Sequence, residues 1–219
     1  MKLALCICPQ WSIETPSFAI GSLKSHIKNN NVVVKQFDLN VQSSLYVRKI
    51  NKDLFYDWGN DKPWNSKRTF INEVLPIFKD FWNEKIEELS KYDVVCFTTY
   101  TSNIMATDYI ARYLKERNKK IQIWYGGPHS WYSDCGGLVE DGKYREFVDV
   151  ACGSNEGETI IADLVNSYEK NKNYENIKGI YRWNKMTPSF PTALPKGRSG
   201  REPVFNQVGT MKSYIIMII

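Results

Sequence analysis

The sequence lacks the signatures that most nucleotide and metal enzymes require. It has no G-x-G-x-x-G turn after its first apolar run and no G-x-x-x-x-G-K-S/T loop, which excludes the common dinucleotide cradle and nucleotide hydrolysis. Cys8-Pro9-Gln10-Trp11 stands where the first would be. The paired acids of a receiver-type signalling domain are missing from the same place. Histidine is scarce, at 2 in 219 residues. His129 has no second histidine or adjacent carboxylate pair, so a ligand contact or a turn-stabilising role fits it better than catalysis, and His26 reads as a surface residue at a helix end. Paired cysteine spacing is absent too. Cys6 and Cys8 share one strand face as small buried residues, and Cys96, Cys135 and Cys152 are too scattered for an iron–sulfur motif, so no metal site is expected. Five cysteines without a disulfide framework fit a reducing, cytoplasmic setting.

Long apolar runs are equally absent. The start, Met1 to Cys8, stops at Pro9 and is too short for a signal peptide. The closing Ile215 to Ile219 falls far short of the ~20 residues of a membrane span, so no membrane partner is expected. The charge excess is small, +5 from 29 basic and 24 acidic residues. The lysines are scattered rather than striped, which argues against nucleic acid.

What is present alternates. Apolar runs at Leu3–Cys8, Val32–Phe37, Asp93–Phe97, Ile121–Tyr125 and Phe147–Cys152 read as strands, and amphipathic stretches separate them. That pattern predicts a doubly wound, Rossmann- or flavodoxin-like α/β fold with a five-stranded parallel sheet. Ile177 to Trp183 reads as a short final strand. Residues 41–90 form a helical insertion after strand two, in which Phe70, Val74, Phe78, Phe81, Lys85 and Leu89 recur at helical spacing. Pro76 is expected to kink that helix or start a new one. The aromatic stripe suits core, although such an insertion can also serve as a lid over a ligand crevice. Gly21, inside the first helix, marks a close approach to the sheet or a ligand. Past Trp183 prolines and glycines alternate without period, so residues 1–185 are expected to form the domain and 186–219 a linker or disordered tail.

In such sheets ligands bind outside the carboxyl ends of the strands. Three loops meet that edge. Thr98 to Asn103 is a hydroxyl-rich turn in which Thr99, Ser102 and Asn103 suit capping or a polar ligand. Gly126-Gly127-Pro128-His129 ends strand four, where two glycines let a flat group approach the backbone. Gly153 to Thr159 opens a helix with Glu156 and Glu158 near its start, placed to hold the loop or, less simply, to act as acid and base.

In this order and separation, these turns, with Asp38-Leu39-Asn40 and Ile177 to Arg182, resemble the N-terminal cobalamin-binding domain of cobalamin-dependent radical S-adenosylmethionine enzymes. The resemblance covers about residues 1–185. It implies cobalamin as the cofactor and Thr99, Ser102, Asn103, Gly126, Gly127, Pro128, His129, Gly153, Glu156, Gly157, Glu158 and Thr159 as binding residues. Two departures stand out. Ser154-Asn155 interrupt the usual Gly-Glu-Gly-Glu turn, and the C-x-x-x-C-x-x-C motif of the radical domain is absent. The chain therefore reads as a truncated or split module of a methyltransferase-type enzyme, without catalysis of its own. The iron–sulfur cluster and S-adenosylmethionine would belong to a separate radical domain or chain. No D-x-H-x-x-G occurs, so the resemblance implies a lower cobalt face without a histidine ligand and a dimethylbenzimidazole tail in the crevice. A sugar-nucleotide-binding half of a glycosyltransferase and a non-catalytic interaction domain are the alternatives.

Overall fold

A computed structural model of the chain describes residues 1–14, 17–50, 60–132, 144–153, 156–183 and 188–189. The apolar runs become parallel strands: β1 (Lys2–Ile7), β2 (Val33–Asp38), β3 (Val94–Thr98), β4 (Gln122–Gly126) and β5 (Val150–Cys152). β3 is buried at every position, as a strand covered on both faces must be. Helices α1 (Phe18–His26), α2 (Leu39–Ile50), α3 (Lys62–Asn65), α4 (Lys67–Thr69), α5 (Leu75–Leu89), α6 (Ile104–Arg117), α7 (Pro128–Tyr132) and α8 (Gly157–Lys170) connect and cover them.

The sheet runs β2-β1-β3-β4-β5-β6-β7. The chain steps outward from β1 to β2 and then returns past β1 to β3. Strand order thus reverses between β1 and β3, the switch point of a flavodoxin-like sheet. β4 lies inside the sheet, between β3 and β5, as the Ile121–Tyr125 run requires.

The sheet exceeds the expected five strands. β6 (Ile180–Trp183) and β7 (Pro188–Ser189) extend it with antiparallel pairing. Gly179, at φ 77°, turns the chain level with Gly153, whose amide donates to the Gly179 carbonyl at 2.8 Å. β6 therefore starts opposite the end of β5 and runs backwards, a direction that an apolar run does not encode. Apart from Pro188–Ser189, the expected tail of 186–219 lies outside the described residues, as does the Ser154-Asn155 interruption.

The insertion also differs in detail. α2 starts at Leu39, directly on the end of β2, where the Asp38 carboxylate accepts from the Val41 amide at 2.9 Å. Further on, α4 leads through a π-helical turn (Phe70–Val74) into α5, with Pro76 in the first turn, where a missing N–H costs no hydrogen bond. The buried row runs Phe70, Val74, Phe78, Trp82, Ile86, Leu89 rather than through Phe81 and Lys85. Steps of four hold one face across the π turn, and Phe81 falls on the neighbouring stripe, stacked on Tyr46 with ring centres 4.9 Å apart.

This row packs with Trp64 against Ala4, Cys6, Phe37, Val95, Phe97 and Tyr125 on one face of the sheet. The other face, carrying Leu3, Leu5, Ile7, Cys96, Trp124 and Cys152, is covered by α1 and α8. Among the described residues, no helix is long and apolar enough to cross a membrane.

Candidate functional site

A pocket of about 150 Å³ opens between the carboxyl edge of the sheet and the α1/α8 layer. Its floor follows from strand register. Thr98 pairs with Gly126, and a Cβ built on Gly126 would lie 3.7 Å from the Cys152 Cβ. Thr98, Gly126 and Cys152 are thus three small residues side by side at the strand ends. Two residues back on the same face, Cys96 and Trp124 form a second row. Ala19 and Leu23 of α1, with Gly157, Ile160, Ile161 and Leu164 of α8, line the opposite wall. A cavity of this size accepts one aromatic ring system of about the bulk of benzene.

Among the described residues the lining is largely apolar, Glu158 is its one charged residue, and that carboxylate is engaged. Ser22 Oγ of α1 donates to Glu158 Oε1 at 3.0 Å, tying the two covering helices together at the pocket. Glu158 also lies in the first turn of α8, where the helix dipole favours negative charge. The expectation that it holds its own loop is replaced by this bond between helices. Burial pushes the Cys96 thiol up to about 12, with the nearby Cys152 adding to the effect, so Cys96 remains a neutral, weakly nucleophilic lining group. Cys8, on the opposite face, is likewise pushed to about 12 by burial.

The two adjacent glycines have different jobs. Gly126 borders open space, whereas Gly127 sits at φ 100°, and a Cβ there would meet the Thr99 carbonyl at 2.8 Å and its amide at 2.9 Å. Gly127 lines the pocket, but its missing side chain makes room for the protein's own backbone. Thr99 is the matching clip: its amide and hydroxyl both donate to the Gly126 carbonyl, at 2.6 and 2.8 Å, and its carbonyl accepts from the His129 amide at 3.0 Å. Pro128 and His129 begin α7, and the buried Ser130 hydroxyl donates to the Gly127 carbonyl at 2.9 Å.

Ser102 and Asn103 face the other way, towards the β1 loop. Ser102 Oγ donates to the Gln10 carbonyl at 2.8 Å. Asn103, fully buried, donates to the Thr98 and Cys8 carbonyls at 3.0 and 3.4 Å and accepts from the Tyr100 amide at 2.8 Å. Its side chain therefore joins the ends of β1 and β3 across the switch point. Next to that junction the Trp11 indole lies on the Tyr100 ring, with centres 4.2 Å apart and planes 21° apart.

Of the residues singled out from sequence, Gly126, Gly127, Gly157 and Glu158 are brought together at the pocket. Thr99, Pro128 and His129 support it from the adjoining turn, and Ser102 and Asn103 build the switch-point junction. Gly153 is covered by the Tyr181 ring, which a Cβ there would strike. Glu156 and Thr159 are exposed at the start of α8. Gly21 makes no close approach to the sheet, being exposed with only the Gln36 side chain near, at 3.9 Å. The described part of the insertion is no lid on this pocket, because its aromatic row packs on the opposite face of the sheet. Ala19, Leu23, Cys96 and Cys152 are lining residues that the sequence reasoning missed. The available signal was small residues at the last face-sharing positions of neighbouring strands. Among the described residues, no group of three or more His, Cys, Asp or Glu is placed to hold a metal ion.

No family model matches the chain, and no curated protein matches it. Solved structures do. A radical S-adenosylmethionine methyltransferase, TsrM, from Kitasatospora setae, with tryptophan substrate and a S-adenosylmethionine analogue bound, superposes with a TM-score of 0.55 at 13% identity, over 85% of this chain and 29% of that one. A second structure of TsrM, with cobalamin and a 4Fe-4S cluster bound, gives a TM-score of 0.51 at 10% identity, over 85% and 28%. At such identities the likeness is one of fold, and the chain spans less than a third of the length of the protein it matches.

Proposed function

We propose that this chain is a cobalamin-binding module that works with a radical S-adenosylmethionine domain or chain in methyl transfer. The observation that carries the proposal is the slot at the carboxyl edge, floored by Thr98, Gly126 and Cys152 and roofed by α1 and α8. Its volume of about 150 Å³ takes one ring of the benzimidazole end of a nucleotide tail, the remainder lying in the open mouth, and its largely apolar lining replaces the water that such a ring would otherwise order. A Cβ at Gly126 would begin to fill it. The fold likeness to a protein solved with cobalamin bound supports the same assignment.

When bound, the cofactor supplies a cobalt centre able to carry a methyl group. The chain's own part is to bind and orient. Gly126 and the small residues beside it receive the tail, and the clip of Thr99, Gly127 and Ser130 keeps the turn from moving into that space. The Ser22–Glu158 bond sets the spacing of the roof helices. His129, committed through its amide to Thr99, is assigned to the ligand's edge and not to cobalt.

Titration of the purified chain with hydroxocobalamin, followed in the visible spectrum, is expected to show saturable binding with colour retained through desalting. Gly126→Leu should abolish retention while the fold persists, and His129→Ala should leave the band positions unchanged. A wild-type chain that shows no spectral change and elutes colourless would overturn the proposal. Loss of a histidine-type band in His129→Ala would overturn the binding mode alone.

A further inference from the structure

The loop after β1 presents an aromatic residue that folding does not explain. Trp11 is 39% exposed, although Trp is costly to leave in water. The main chain around it is nonetheless fixed. The Trp11 amide donates to Asn40 Oδ1 at 3.0 Å, and Asn40 Nδ2 donates to the Trp11 and Ser12 carbonyls, both at 3.1 Å. Asn40 is itself only 1% exposed. Ser102 anchors the preceding carbonyl, that of Gln10, at 2.8 Å. The indole then lies on Tyr100, which is half-buried against the same apolar cluster that floors the slot. A buried asparagine and a serine thus hold an exposed indole in one position, beside the switch point between β1 and β3.

We infer that Trp11, backed by Tyr100, is the platform on which the flat ring system of the bound cofactor rests, an inference that depends on the cobalamin assignment of the slot. Thr98 floors the slot and Tyr100 follows it by two residues, so slot and platform share the end of β3. Division of labour follows: the slot takes the nucleotide tail and the indole takes the corrin. A flat, neutral, apolar surface would suit stacking against such a macrocycle. Because the loop is already ordered, little conformational entropy is lost when a ligand stacks on it.

Two probes separate the parts: hydroxocobalamin, and dicyanocobinamide, which has the corrin without its nucleotide tail. Each is titrated into the full chain as wild type, Trp11→Ala, Trp11→Phe, Trp11→Leu and Gly126→Leu. Trp11→Ala and Trp11→Leu are expected to weaken both ligands by about tenfold, the scale of a lost aromatic stack, while Trp11→Phe holds within about threefold. Gly126→Leu should weaken hydroxocobalamin and spare dicyanocobinamide. Trp11→Leu keeps apolar bulk without a flat face, and equal unfolding midpoints among the Trp11 variants separate stacking from loop collapse. Wild-type affinity in Trp11→Ala, or equal losses in Trp11→Phe and Trp11→Leu, would overturn the platform and leave the cobalamin assignment standing. A wild-type chain that binds neither probe overturns both.

Discussion

The two faces of this sheet are built from similar residues to opposite ends. On one face Trp64, Phe70, Phe78 and Trp82 interlock, with Trp82 stacked on Phe78 at 5.2 Å and on Phe70 at 5.9 Å, all but fully buried. On the other, small residues at the strand ends leave a slot of about 150 Å³ under two helices. Packing to organic-crystal density is the norm for protein interiors, and a hole kept open on one face beside a filled one on the other is the contrast on which the proposed binding role rests.

Five substitutions test that contrast, from the filled face towards the open one and the surface. Trp82→Ala removes one of the two buried indoles of the filled face and deprives the Ser43 hydroxyl of the N–H that it accepts at 3.1 Å. It should cost about 3–5 kcal/mol in urea unfolding. Gly127→Ala forces a Cβ onto the Thr99 backbone in a left-handed conformation and should cost about 1–3 kcal/mol. Gly126→Ala, one residue away, should change stability by less than about 1 kcal/mol, and equal losses at the two glycines would break the distinction drawn between them. Glu158→Gln weakens the bond between α1 and α8, for an expected loss of about 0.5–1.5 kcal/mol with a detectable fall in cobalamin affinity. The smallest effect belongs to Lys35→Met at the surface. Its ammonium bonds Glu88 at 2.8 Å and holds that carboxyl below its usual range. The group with a lowered value is Glu88, so its contribution is present above the ordinary carboxylate range and fades as pH falls through the lowered value. Wild type and variant should therefore differ slightly at pH 7 in denaturant midpoint and converge in acid.

The parallel strands were legible because buried strands write themselves as apolar runs. So was the edge at which the pocket opens, since glycine and hydroxyl turns cluster where such strands stop. What escaped was anything that depends on an angle or a distant partner. Gly126 and Gly127 look alike in sequence, yet φ separates a floor from a hinge. Phe81 and Trp82 are adjacent aromatics, both at helical spacing from Phe78 on α5, and only the packing of that helix decides which faces in. Ser22 and Glu158 lie 136 residues apart, and neither carries a local sign of the other. The direction of β6 was hidden for the same reason, because Gly179 sets it. Trp11 was noticed only as part of a missing glycine motif. Its role rests on Asn40, which the sequence places merely at the end of strand two.

Among the described residues β2 ends the sheet, paired to β1 alone. An outer strand with bare amides and carbonyls is a template on which a second chain can assemble, and Val33, 66% exposed, offers it an apolar start. Lys35 stands in the middle of that strand, its ammonium 4.8 Å from the Phe37 ring centre and bound to Glu88. A foreign strand laid along β2 would have to displace this ion pair and strip water from the charge. A side chain that adds little to unfolding free energy is thus placed to oppose such pairing, and Lys35→Val should show itself more as turbidity on refolding than in its slightly shifted midpoint.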